Sequence, residues 1–209
     1  MTQKRKEEKM KKSALNVPNT LSLIRVVLVP VFVVTLLFMK DIPIWGLIVP
    51  AIVYMITALT DMLDGKIARK YGLVTDFGKF IDPLADKFMV IGSMLAILAY
   101  MFMSGKDVLG SVFIWLVLII LFRELAVTSM RLVVAGNGVK VDLAANMFGK
   151  LKTVSQMVGT VVIIVEPIIP FFCDNNILSY VCMAVMAFST VASGIIYFKG
   201  YLPYINTNK

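Results

Sequence analysis

The chain has 209 residues, of which 59% are hydrophobic and 16% are charged, too few polar residues to cover a water-soluble globular domain. It contains no histidine and only two cysteines, which excludes Ser-His-Asp and Cys-His catalysis, histidine proton relays and zinc sites built from His and Cys clusters. Any chemistry must rest on carboxylates, hydroxyls, and the lysines and arginines that give the chain its net charge of +8.

Apolar stretches of about 20 residues, the length that crosses the hydrocarbon core as a helix, recur along the chain. They are bounded by charged residues or by Gly and Pro, and they lack the alternation typical of a transmembrane barrel strand. We therefore predict an all-α integral membrane protein with six transmembrane helices. The predicted spans are residues 21–39, 42–60, 84–103, 108–134, 147–172 and 177–197.

A short basic segment precedes the first span. We divide the chain into this juxtamembrane segment, residues 1–17, and a six-helix membrane domain, residues 18–209. The segment is predicted to lie as an amphipathic stretch on an anionic lipid leaflet. The alternative is a solvated tail that only sets the topology, and it explains the charges of residues 1–12 equally well.

The positions of the basic residues predict the orientation of the spans. All but two of the 21 lysines and arginines, Lys40 and Lys106, fall on the same side of the predicted membrane. By the positive-inside rule this side is cytoplasmic, so we expect a multi-pass protein of the cell membrane with both termini in the cytoplasm. Contact with lipids explains the basic charge. No nucleic acid is expected as a partner, because no aromatic residues are interleaved with the basic ones.

Four aspartates lie where the second span ends and the third begins. They are Asp61, Asp64, Asp82 and Asp86. The first two are three residues apart and the last two are four apart, so each pair shares one face of a helix. Gly65 and Ala68 extend the first stripe, and Gly78 lies one turn before the second pair. Small residues on facing stripes allow two helices to approach closely, which would bring both pairs into one pocket.

Carboxylates gathered in this way repel one another and need compensation near a bilayer. A divalent cation provides it, and oxygen ligands without His or thiol favour Mg²⁺ or Mn²⁺ over Zn²⁺. Because such cations bridge and neutralise phosphate oxygens, the pattern predicts phosphate chemistry. The alternative is that each aspartate pairs with Lys or Arg at a solvated helix end. That alternative explains a single aspartate better than four at regular helical spacing.

Residues 61–86 also match a longer signature. At every fixed position they fit D-x-x-D-G-x-x-A-R-x8-G-x-x-x-D-x-x-x-D, the signature of the CDP-alcohol phosphatidyltransferases, and the chain resembles that family. Six spans with the signature across the second and third, at the cytoplasmic side, are also similar to the family. The resemblance therefore covers most of the chain.

The resemblance implies transfer of a phosphatidyl group from CDP-diacylglycerol to an alcohol, with release of CMP, by a homodimer with a cytoplasmic active site. The implied metal ligands are Asp61, Asp64, Asp82 and Asp86. Asp82 and Asp86 would be catalytic, with Asp86 as the general base. The implied contacts of the CDP-lipid are Asn19, Asp61, Asp64, Gly65, Ala68, Arg69 and Gly78. The small residues would make room for the cytidine and diphosphate, and Arg69 would neutralise phosphate. Asn19 has the alternative role of N-cap of the first helix.

Cations in the later spans suggest the acceptor. Arg123 and Arg131 share one face of the fourth span, and Lys150 and Lys152 open the fifth. An arginine within an apolar span costs about 2.5 to 3.5 kcal/mol, so it should face a cavity or a partner. Together the four cations suit a phosphate monoester. The alternatives are an ion pair of Arg123 with an aspartate or Glu124, and lysines that extend to the lipid headgroups.

The stretch from Val17 to Arg25, where the first span opens, and these cations resemble the branch of the family whose acceptor is sn-glycerol 3-phosphate. Inositol phosphate, serine and phosphatidylglycerol, the acceptors of sister branches, remain alternatives. A small cation or solute transporter would also place aspartates in apolar helices. A transporter needs access from both sides of the membrane, however, and the four aspartates lie at one side.

Overall fold

The computed structural model describes residues 17–71, 75–136, 147–169 and 175–205, without the side chains of residues 17, 18, 62–71, 76, 79, 147 and 148. These ranges are almost entirely helical and contain no strand. The helices are α1 (Val17–Phe38), α2 (Trp45–Tyr71), α3 (Asp76–Met103), α4 (Asp107–Gly136), α5 (Met147–Val165) and α6 (Ile177–Tyr201). Short 3-10 helices follow α5 and α6, at Glu166–Ile168 and Leu202–Tyr204.

The prediction of an all-α, multi-pass membrane protein is confirmed. Within the described residues, five helices contain a stretch long and apolar enough to cross a bilayer. These stretches are Asn19–Phe38, Phe80–Met103, Asp107–Gly136, Gly149–Ile168 and Ile177–Tyr204. The apolar stretch of the second predicted span, Trp45–Asp61, is shorter than these five. It ends where the aspartate signature begins.

The helices of the signature extend beyond the predicted spans. α2 continues to Tyr71, and α3 begins at Asp76, well before the apolar part of the third span. Apolar length marks only the part of a helix that lies in hydrocarbon, whereas backbone hydrogen bonding continues through polar residues. Both halves of the signature therefore lie on helix, as their three- and four-residue spacing predicts.

The described helices group into two compact units, divided at Tyr100 and Met101. In the first unit, α1 and α2 are joined by a tight turn that requires a glycine. A Cβ at Gly46 would lie 2.0 Å from the carbonyl oxygen of Met39. The rings of Phe32 on α1 and Tyr54 on α2 are 5.5 Å apart between centroids, so the two helices pack directly against each other.

One stripe of α1 is buried along the whole helix. Its members are Asn19, Ser22, Arg25, Val29, Phe32 and Leu36. They recur every three or four residues, which is the spacing of a single helical face. The last three are ordinary apolar core residues, whereas the first three are polar. We call Asn19, Ser22 and Arg25 the polar stripe of α1.

In the second unit, α6 packs against α4 and α5. Val127 and Met130 of α4 share an apolar cluster with Tyr197 of α6. Polar contacts join α5 to α6, among them one between the Ser155 and Ser189 hydroxyls at 2.6 Å. Hydroxyl contacts of this kind are a common means of association between helices in membranes.

A buried carboxylate binds the N-terminus of α6. Glu166 Oε1 accepts the backbone N–H of Leu178 at 2.8 Å, and its Oε2 accepts the backbone N–H of Ser179 at 2.9 Å and the Ser179 hydroxyl. The first N–H groups of a helix have no partner within the helix and carry partial positive charge. Glu166 therefore supplies both acceptors and the complementary charge.

Candidate active site

The polar stripe of α1 contacts the aspartates of the signature. Arg25 Nη1 lies 2.7 Å from Asp61 Oδ1 on α2, and the Ser22 hydroxyl donates a hydrogen bond to Asp82 Oδ1 on α3. Arg25 is buried, whereas Asp61 is 23% exposed. One aspartate from each pair is thus held by the same face of α1.

The third member of the stripe joins α1 to the beginning of α3. Asn19 Nδ2 donates to Thr75 Oγ1 at 2.8 Å, and the same oxygen accepts the backbone N–H of Gly78 at 3.0 Å. Thr75 is therefore the N-cap of α3. A Cβ at Gly78 would lie 2.5 Å from Asn19 Oδ1, so a larger residue there would displace the Asn19 amide.

Asn19 lies inside α1, which begins at Val17. The alternative that Asn19 is the N-cap of the first helix is therefore wrong, because an N-cap residue precedes the helical residues. Its amide instead belongs to the junction between α1 and α3. A contact between Asn19 and the CDP-lipid stays a prediction.

Asp86 is partly exposed on α3, one turn after Asp82. Among the side chains that the structure describes, no three acidic, His or Cys side chains lie close enough together to hold a metal ion. The fourth expected ligand, Asp64, is outside the described side chains. The donor chemistry fits a hard cation, because a carboxylate has about four lone-pair sites and can bind a cation while it accepts another contact.

The remaining signature positions lie on the last turns of α2. Asp64, Gly65, Ala68 and Arg69 are helical, and their side chains are outside the described set. Their predicted contacts with the metal and the CDP-lipid stay predictions. The structure brings Asp61 and Asp82 to α1 and places Asp86 on the same face of α3 as Asp82.

Two of the predicted acceptor cations share one carboxylate in the second unit. Arg123 Nη1 is 3.1 Å from Glu124 Oε1, and Lys152 Nζ on α5 is 2.5 Å from the same oxygen. All three side chains are largely buried. The alternative in which Arg123 pairs with Glu124 is thus observed. Lys152 does not extend to headgroups but pairs with the same carboxylate.

Residues of α6 complete this cluster. Arg123 Nη2 donates to Ser193 Oγ at 2.6 Å, and the guanidinium carbon lies 5.3 Å from the centroid of the Tyr197 ring. Arg131 and Lys150 are exposed and have no described contact with the cluster. The structure therefore brings together only Arg123 and Lys152 of the four predicted acceptor cations.

Comparison with known proteins gives the family. The model of the CDP-alcohol phosphatidyltransferase family matches residues 15–193. The chain belongs to this family. The matched range contains the polar stripe, the complete signature and the cluster around Glu124. Membership in the phosphatidyltransferases favours an enzyme over the solute transporter considered above.

Relatives of this phosphatidyltransferase cover most of its length. A Bacillus subtilis protein named CDP-diacylglycerol–glycerol-3-phosphate 3-phosphatidyltransferase is 37% identical over 196 residues, which are 88% of this chain and 94% of the relative. A Rickettsia bellii protein of the same name is 32% identical over 189 residues, 90% of this chain and 97% of the relative. A probable phosphatidylglycerophosphate synthase of Mycobacterium tuberculosis is 36% identical over 182 residues, 87% of this chain and 79% of the relative.

Sequence reasoning missed several residues that contact the phosphatidyltransferase signature or the cations. Ser22 could have been found from its position one turn from Asn19 and Arg25. Thr75 carries a recognisable signal as well, because a threonine directly before a helix is a favoured N-cap. Ser193 has no such signal, since its contact with Arg123 joins residues 70 positions apart.

Proposed function

We propose that this phosphatidyltransferase transfers the phosphatidyl group from CDP-diacylglycerol to sn-glycerol 3-phosphate, giving phosphatidylglycerol phosphate and CMP. The structural observation that carries the proposal is that Asp61 and Asp82, from the two helices of the signature, both contact the polar stripe of α1. The names of relatives at 31% to 37% identity support the donor and the acceptor.

The reaction is a displacement at phosphorus. A hydroxyl oxygen of glycerol 3-phosphate bonds to the phosphorus that carries diacylglycerol. The bond from that phosphorus to the bridging oxygen breaks, and CMP leaves with this oxygen. The hydroxyl proton passes to a carboxylate, which we assign to Asp86 with Asp82 beside it. A positioned base of this kind contributes about 10² to 10⁴ in rate.

Mg²⁺ or Mn²⁺ is proposed as the cofactor, with Asp61, Asp64, Asp82 and Asp86 as its ligands. When bound, the cation neutralises charge on the diphosphate. Arg69 would add a further positive charge for phosphate, and Asn19 would contact the CDP-lipid. Gly65 and Ala68 carry no side chain larger than a methyl group, which suits the close approach of the nucleotide. The space beside Gly78 is filled by Asn19, so a contact of Gly78 with the CDP-lipid would come from its backbone.

The cluster around Glu124 supports an anionic acceptor. Arg123 and Lys152 share the single carboxylate of Glu124, so the three groups together retain one positive charge. Their burial strengthens attraction to a phosphate compared with a site in water. The exposed cations Arg131 and Lys150 add positive charge on the same two helices. Serine lacks a phosphate and fits this charge less well than glycerol 3-phosphate or inositol phosphate does.

The proposal also includes location and assembly. The excess of basic residues on one side of the spans supports a cytoplasmic active site and cytoplasmic termini in the cell membrane. We propose a homodimer, in keeping with the family resemblance.

A panel of acceptors tests the proposed reaction. Purified protein in detergent, supplied with CDP-diacylglycerol and Mg²⁺, should release CMP with glycerol 3-phosphate. It should release far less with inositol phosphate, inositol, serine or phosphatidylglycerol. Release of CMP with a different acceptor would change the substrate assignment. No release with any acceptor, in Mg²⁺ or Mn²⁺, would contradict the proposed transfer.

A further inference from the structure

Ser22 makes an unusual contact for a helical serine. Buried hydroxyls in helices commonly donate to a backbone carbonyl three or four residues earlier. Thr57 and Ser93 follow this rule, with bonds to Val53 and Val90 at 2.7 and 3.1 Å. The Ser22 hydroxyl differs because it donates to a carboxylate on another helix, Asp82 of α3.

The surroundings of Ser22 protect this hydrogen bond from water and place it beside a second contact between helices. Ser22 is fully buried on α1, so its hydroxyl is shielded from competing water. One turn away, the buried guanidinium of Arg25 contacts Asp61. A helix face is rigid over one turn, so the two contacts hold carboxylates of α2 and α3 relative to the same surface.

A carboxylate that binds a cation must present its oxygens in the correct direction. In metal sites this orientation commonly comes from a hydrogen bond by a residue that does not touch the metal, and loss of such a partner typically costs about 10- to 100-fold in metal affinity or activity. Asp82 can accept the Ser22 hydroxyl and still bind a cation, because its two oxygens offer about four lone-pair sites.

We propose that Ser22 is a positioning residue, whose hydroxyl orients the Asp82 carboxylate for the divalent cation. The proposal rests on the proposed function in one respect, namely that Asp82 is a metal ligand. It extends that function by giving α1, which lies outside the aspartate signature, a role in the affinity of the site for its cation.

The test compares Ser22→Ala with a matched control in the full-length protein. Ser93→Ala removes an equally buried hydroxyl from α3, but one that donates to a backbone carbonyl. Ser22→Thr keeps a hydroxyl at the position of interest. Binding of Mn²⁺ to each detergent-solubilised protein is followed by electron paramagnetic resonance, and CMP release is measured against the concentration of metal.

Ser22→Ala should bind Mn²⁺ about tenfold or more weakly than the unmodified protein. It should need correspondingly more metal for half-maximal CMP release, while the KM for glycerol 3-phosphate stays the same. Ser22→Thr should recover most of the affinity, and Ser93→Ala should bind Mn²⁺ as the unmodified protein does.

Two results would overturn the role of Ser22: unchanged Mn²⁺ affinity in Ser22→Ala, or an equal loss in Ser93→Ala. An unmodified protein that binds no Mn²⁺ would overturn it as well, together with the metal assignment of Asp82. An unmodified protein that binds Mn²⁺ without releasing CMP would contradict only the proposed reaction. In that case the Mn²⁺ titrations alone decide the role of Ser22.

Discussion

Arg25 and Asp61 form an ion pair between two helices, with Arg25 Nη1 at 2.7 Å from Asp61 Oδ1. The Arg25 side chain is 1% exposed, so its guanidinium has almost no access to water that could replace its partner. Removal of one member of a buried ion pair costs about 3 to 5 kcal/mol, because the other charge stays buried. The stability of the first unit therefore depends on the charge of Asp61, an aspartate of the signature.

The first prediction concerns this pair. Asp61→Ala should lower the free energy of unfolding by about 3 kcal/mol, because the buried charge of Arg25 loses this partner. Arg25→Met should lower it by less, because the remaining carboxylate of Asp61 is 23% exposed. The double variant should lose at least 1 kcal/mol less than the two single losses added together, because residues in contact show couplings of about 0.5 to 3 kcal/mol. Reversible unfolding in detergent measures all three variants. Strictly additive losses would mean that the contact contributes nothing to stability.

The second prediction concerns the approach of Gly78 to Asn19. Gly78→Ala places a Cβ 2.5 Å from Asn19 Oδ1, and the displaced amide loses its bond to Thr75. We expect a loss of about 1 to 3 kcal/mol, as for other overpacked positions. Gly136→Ala is the control, since a Cβ there meets nothing within 4 Å. Equal melting temperatures for the two variants would show that the contact at Gly78 relaxes without cost.

The third prediction concerns Asp86, the proposed general base. Asp86→Asn keeps the size of the side chain and removes its ability to take the hydroxyl proton. Turnover should fall by about 10² to 10⁴ while the melting temperature changes little. Asp41→Asn alters an exposed aspartate in the turn between α1 and α2, and it should retain full turnover. Substantial CMP release by Asp86→Asn would remove the role assigned to Asp86.

The fourth prediction concerns the acceptor. Arg123→Ala and Lys152→Ala should raise the KM for glycerol 3-phosphate about tenfold or more, because a hydrogen bond to a charged group contributes about 1.5 to 3 kcal/mol. The KM for CDP-diacylglycerol should change much less. Arg131→Ala and Lys150→Ala, which alter exposed cations, should have smaller effects. Parallel increases in both KM values would place the acceptor elsewhere.

The fifth prediction concerns the cation. Treatment with a chelator should abolish CMP release, and added Mg²⁺ or Mn²⁺ should restore it, because the expected ligands are all carboxylate oxygens. Zn²⁺ should restore it poorly, since the sequence offers no histidine and the expected site no thiolate. Full turnover in the presence of excess chelator would contradict a metal-dependent reaction.

The predictable part of the fold was the part that hydrophobicity dictates. Runs of apolar residues located the helices, because only a helix satisfies its own backbone hydrogen bonds in hydrocarbon. Helix ends were less predictable. α2 and α3 continue into the polar signature, and the apolar pattern says nothing about where that continuation stops. The spacing of the aspartates, which is a local property, correctly indicated helix there.

The candidate site was predictable where neighbours in sequence are neighbours in space. The pairing of Arg123 with the adjacent Glu124 was foreseen as one alternative, for this reason. Lys152 pairs with the same carboxylate because of the way α4 and α5 pack, and no local sequence pattern indicates this packing. Likewise, Ser22 and Asp82 are 60 residues apart, and only the packing of α1 against α3 brings them into contact.

The boundary between the two units at Tyr100 has a consequence for the order in which the chain is synthesised. Every aspartate of the signature, and both α1 residues that contact them, precede this point. A ribosome therefore completes both helices of the signature before it translates α4, whereas the arginine and lysine that share Glu124 come later. During membrane insertion, the nascent chain carries the four aspartates of the signature well ahead of Arg123 and Lys152.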